Sequence, residues 1–96
     1  MTKAERAWKD QVARMCCAIC ERLHGEHDGG YVELHHLRKG GWGTQGYKTL
    51  IPLCVKHHRG AEGIHTMGTN AWERHFDVSQ LELLEKVQSR LEADGL

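Results

Sequence analysis

The chain has 96 residues, with 13 Lys and Arg balanced by 13 Asp and Glu, four cysteines and eight histidines. A single domain of this size, here taken as residues 1–96, lies near the lower limit of what a hydrophobic core stabilises alone, and zero net charge excludes any argument from global charge for a nucleic-acid, membrane or acidic partner. No run is apolar enough for a signal peptide or a membrane span. That predicts a soluble, intracellular protein whose thiols stay reduced and are available as metal ligands.

In chain order, Thr2 and Glu5 stand at capping-box spacing before AERAWKDQVARM, where Trp8, Val12 and Met15 share one face, predicting a helix over about residues 3–15. CCAIC reads as a tight turn, and HGEHDGG as a flexible connection. YVELH alternates from Tyr31, and TLIPLC is a second apolar run. Together they predict a hairpin around a long glycine-rich loop, with Pro52 making the second strand an edge. VKHHRGAEG has helical spacing but is closed by Gly60 and Gly63, so its helix is short. Trp72 and Phe76 predict another short helix. Ser79 and Glu82 form a capping box, Val78 and Leu83 stand at staple positions, and Leu84, Val87 and Leu91 continue the stripe of a helix over about residues 79–93.

Two ligand pairs at short spacing, Cys17-x2-Cys20 and Cys54-x2-His57, point to one tetrahedral zinc, the staple that a small core requires. Cys16 could replace Cys17, or be a neighbouring thiol without a ligand role. His57 and His58 diverge by about 100° around a helix, so they face different neighbourhoods and imply two sites. On one continuous helix His58 and His65 would stand about 10.5 Å apart, too far for a shared ion with bonds of about 2 Å. Gly60 and Gly63 let the chain break and return His65 toward His58, with His35 arriving from the hairpin as a third ligand. His24, His27 and His75 lack spacing and companions and read as solvated surface.

The order "HH", loop, TLIPLC, VKHH resembles the ββα-metal core of HNH nucleases with a structural zinc knuckle interleaved, and most resembles the small phage recombination-enhancement, RecA-dependent nucleases. It covers about residues 15–70. The resemblance implies an α+β domain with flanking N- and C-terminal helices. It makes His35, His58 and His65 ligands of a catalytic divalent ion, His36 the general base, and Thr49 the occupant of the place where an asparagine usually orients that base. Neighbours on a regular strand point to opposite faces, so His35 and His36 are expected to share a site through a bend of the strand. The ion would be Zn2+, Mg2+, Mn2+ or Ni2+, imidazole suiting the softer ions better than Mg2+. The implied activity is endonucleolytic hydrolysis of DNA phosphodiester bonds in recombination, with a RecA-type recombinase filament as partner and the cytoplasm of a bacterial host as location.

Leu34 to Ala61 contains no acidic residue but holds Arg38, Lys39, Lys48, Lys56 and Arg59, so this region could face an anion. Arg38, Lys39 and Lys48 are candidate phosphate contacts, and Trp42 a candidate base-stacking or groove-wedging residue. A different class of reading is a non-catalytic zinc module that binds nucleic acid or protein. It accounts for Cys17, Cys20, Cys54 and His57 but leaves His35, His36, His58, His65 and the two glycines unexplained.

Overall fold

Trp8 and Val12, one helical turn apart, are both buried on the inner face of α1 (Lys3–Ala13), whose first turn is capped by the Thr2 hydroxyl accepting from the Glu5 N–H. The computed structural model describes residues 1–25, 31–37 and 43–96, with residues 43–45 as backbone alone. The CCAIC segment is more than a turn. Cys17 is the N-cap of α2 (Ala18–His24), a helix of seven residues that is too short for its periodicity to show in sequence.

The predicted hairpin forms from β1 (Glu33–His36) and β2 (Leu50–Leu53), antiparallel, with Leu34 opposite Pro52 and His35 opposite Ile51. β1 begins two residues later than the alternation from Tyr31 suggests. The Leu37 N–H donates to the Thr49 carbonyl at 2.9 Å, and bonded pairs alternate with unbonded ones along such a ladder. Leu34–Pro52 is therefore an unbonded pair, and the N–H that proline lacks would have pointed away from β1. Thr49 ends a 3-10 helix (Gly43–Thr49) rather than beginning the strand.

All four residues of β2 are buried, because the strand separates two apolar clusters. Ile51 and Leu53 join Ile19, Ile64, Trp72, Phe76, Leu83 and Leu84 on one side. Leu50 joins Trp8, Val12, Val87 and Leu91 on the other. After β2 come α3 (Val55–His58), α4 (Ile64–Met67), α5 (Thr69–Phe76) and α6 (Gln80–Ala93). The Ser79–Glu82 capping box is reciprocal, and the stripe of α6 spans both clusters. This is a small α+β arrangement in which a two-stranded sheet and a short helix are flanked by longer helices. Among the described residues no helix is long and apolar enough to cross a membrane.

Candidate metal centres

Two helix starts build the first centre. Cys17 caps α2 and Cys20 lies in its first turn, while Cys54 caps α3 and His57 lies three residues on. Residues i and i+3 share a helical face, so each start presents two donors. Neither cysteine cap makes a side-chain capping bond, and the four side chains converge. The Cys20 and Cys54 sulfurs are 3.9 Å apart, and His57 Nδ1 lies 3.7, 3.6 and 3.3 Å from the sulfurs of Cys17, Cys20 and Cys54. A tetrahedron with Zn–S bonds of about 2.3 Å and Zn–N bonds of about 2.0–2.1 Å has edges of about 3.8 Å between sulfurs and about 3.6 Å between sulfur and nitrogen. The donor set and its spacing fit a zinc ion.

Burial raises the Cys17 thiol above its ordinary pKa and, with Cys17 alongside, pushes Cys20 up to about 12; burial also lowers His57. Losing the thiol protons is costly without a counter-charge, and a divalent cation offsets the cost by taking the thiolates as ligands. Cys16 is buried, with its sulfur 3.4 Å from the Cys17 carbonyl, and does not belong to the converging group.

The second centre gathers His35 from β1, His58 from the last position of α3 and His65 from α4, with one potential ligand nitrogen from each lying within 4.8 Å of the others. His58 Nε2 and His65 Nε2 are 3.1 Å apart, close to the edge of about 3.3 Å that two imidazoles span on a tetrahedral zinc. Gly60 and Gly63 permit this return through close approach rather than unusual dihedrals. A Cβ on Gly60 would lie 2.8 Å from the Lys56 Cα, and one on Gly63 2.6 Å from the backbone of both His58 and Arg59.

Two residues that the sequence reading did not single out hold these histidines from outside. Glu33 Oε1 lies 2.8 Å from His58 Nδ1, and the Arg59 Nε donates to both Glu33 carboxylate oxygens at 3.0 Å. The Arg59 guanidinium first, and then His58, holds the Glu33 carboxyl at about 2. A carboxylate accepting from Nδ1–H leaves Nε2 of His58 as the coordinating nitrogen. Gln80 Oε1 lies 2.7 Å from Nε2 of His35, whose pKa burial pushes down. The signal for Glu33 was its position two residues before His35, on the same face of the strand. Gln80, 45 residues from its partner, left no local signal.

His36 leaves β1 on the opposite face from His35 and is exposed. The expected bend between them is absent: the register runs on through His36–Leu50, and the Leu37 N–H still bonds Thr49. The Thr49 hydroxyl donates to the Gly46 carbonyl at 2.6 Å, and its oxygen lies 2.9 Å from His36 Nδ1. With its one proton committed, that oxygen accepts from Nδ1–H, which leaves the His36 Nε2 lone pair available. The Lys48 ammonium lies over the Trp8 ring, 5.2 Å from its centroid. Arg38, Lys39, Trp42 and His27 lie outside the described residues. His24 and His75 are both exposed, as expected, although His75 has a companion in Glu62 at 3.2 Å.

An antiparallel pair of strands, a short helix and a histidine cluster held between them make a ββα-metal arrangement, with a zinc-knuckle-like Cys/His group beside it. The chain belongs to the recombination enhancement, RecA-dependent nuclease family, whose family model matches residues 1–91. No curated protein and no solved structure shows a significant match to it.

Proposed function

We propose that this protein is an endonuclease that hydrolyses DNA phosphodiester bonds with the help of a divalent ion. The observation that carries the reading is the pairing of an open three-histidine cluster with a neighbouring imidazole whose Nε2 is left bare by Thr49. His36 accepts a proton from the attacking water at Nε2, and Thr49 holds the ring in the required tautomer and stabilises the imidazolium that forms. His35, His58 and His65 would hold the ion, three protein ligands being few enough for it to take substrate and water as well. When bound, such an ion polarises the phosphate and offsets charge on the leaving 3′ oxygen. Because the two histidines leave β1 on opposite faces, a phosphate held at that ion would have to span the end of the strand for His36 to serve it.

Cys17, Cys20, Cys54 and His57 serve structure, holding zinc so that α3 is fixed where His58 needs it. Arg38, Lys39 and Lys48 contact phosphates and Trp42 stacks on or wedges between bases. Lys48 leaves the buried Trp8 ring to do so, at a cost of about 0.5–2 kcal/mol for a partly desolvated cation–π contact. The family's description supports DNA as substrate and a RecA-type filament as partner; a bacterial cytoplasm is the setting such a partner would imply. The test is cleavage of plasmid and single-stranded DNA with Zn2+, Mg2+, Mn2+ and Ni2+, with and without a recombinase filament. Metal counting accompanies it. A second, exchangeable ion with cleavage supports the enzyme; one tightly held zinc and no cleavage under any condition leaves a non-catalytic module.

A further inference from the structure

We propose that Gln80 is a positioning residue of the histidine centre, fixing His35 as the Nε2–H tautomer so that Nδ1 is the nitrogen it offers to an ion. The inference rests on reading that cluster as an ion site. His35 is buried, and its Nε2 lies 2.7 Å from the amide oxygen of Gln80. An amide oxygen only accepts, so the ring nitrogen facing it carries the proton, and a neutral imidazole has one N–H to place. Nδ1 is left bare.

The amide is held from several directions. Gln80 opens α6 directly after the Ser79 cap, and its backbone N–H donates to Glu73 Oε2 at 2.7 Å, tying α6 to α5. The Ser79–Glu82 box fixes the same turn, and Val78 and Leu83 on either side of it are buried. The orienting oxygen thus comes from a helix start that packing and capping have already placed, and the C-terminal helix contributes directly to the centre.

The resulting centre is asymmetric. His58, with Nδ1 engaged by Glu33, offers Nε2, whereas His35 offers Nδ1. Nδ1 is one bond nearer the backbone than Nε2, so β1 stands closer to the ion than α3 does. Outer partners of this kind commonly govern metal affinity roughly ten- to a hundredfold.

Long-range 15N–1H correlation spectra of the histidine rings test this in protein carrying zinc in its cysteine site, before and during titration of the second site with zinc alone. The expected result is Nε2–H on His35 before titration and coordination through Nδ1 after it. Gln80→Leu should lose the single tautomer and weaken the second zinc roughly ten- to a hundredfold, while Gln80→Glu should keep both. An Nδ1–H tautomer in the parent, coordination through Nε2, or parental zinc affinity in a folded Gln80→Leu overturns the assignment. Should Gln80→Leu fail to fold, the parent's tautomer and Gln80→Glu still decide the matter. Uptake of one zinc only, with His35 nevertheless Nε2–H, removes the ion-site reading and leaves the role of Gln80 toward His35 standing.

Discussion

Gly63→Ala is the sharpest structural test, because the space for the added methyl is already taken by backbone. The Cβ would lie 2.6 Å from the Arg59 nitrogen, 2.6 Å from the His58 carbonyl carbon and 2.8 Å from the Arg59 Cα. Ordinary contact begins at about 3.4 Å, so the end of α3 or the start of α4 must shift by about 0.8 Å, and no flexible side chain can absorb the move. Overpacking of this kind costs about 1–3 kcal/mol, which for a domain of this size lowers the melting temperature by about 4–8 °C per kcal/mol. The larger effect falls on the second centre. His58 and His65 flank the clash, and metal sites tolerate errors of about 0.2 Å in ligand position, so affinity for the second ion should be largely lost. Thermal melts by circular dichroism and zinc titration by calorimetry read the two effects. Gly68→Ala is the control, since its added Cβ meets nothing within 4 Å and only the φ of +87° is strained. If Gly63→Ala melts within about 2 °C of the parent and binds the second ion as the parent does, close approach is not the reason for glycine there.

Cys17→Ser and Cys54→Ser should each release zinc and unfold the domain; an unchanged melt with zinc absent would remove the cysteine site from the account. His36→Ala should abolish cleavage with both ions bound, whereas His58→Ala or His65→Ala should lose the second ion along with activity, as metal content beside a cleavage assay would report. With zinc in the cysteine site and the second site unloaded, the depressed pKa of buried His35 makes the unfolded chain the better proton acceptor. Its contribution to stability is then complete above the ordinary histidine value of 6.5 and lost as pH falls below it, so melts between pH 7 and pH 5 should decline more steeply for the parent than for His35→Gln; parallel curves would count against it. Lys39→Ala and Arg38→Ala should weaken DNA binding and reduce its salt dependence without moving the pH profile of cleavage, and parental binding by both would mean that these side chains merely meet solvent.

The sequence was most readable where a local rule acts within a few residues. Cys17-x2-Cys20 and Cys54-x2-His57 follow from one turn of helix, and the Ser79–Glu82 box starts α6 where the spacing says. Trp72 and Phe76 announced α5, which buries both. The divergence of His57 from His58 holds as well, one facing the cysteines and the other His65. What escaped was either short or distant. Seven residues of α2 and four of α4 are stabilised by packing rather than by any visible period, and the 3-10 turn before β2 hid in a segment that read as loop and strand. Glu33 and Gln80 act across 25 and 45 residues of chain, a range at which only the folded backbone brings partners together.

The placement of His57 and His58 side by side on a helix of four residues has a consequence for assembly. Closing the cysteine site joins Cys17 to His57 across 40 residues, one of the long loops whose ordering the chain must achieve before distant contacts reward it. Until that loop closes, α3 is too short to persist alone, and His58 has no fixed direction. On the proposed reading, zinc at the cysteines and cleavage at the histidines are coupled through α3, so a chain starved of its structural zinc should not cut.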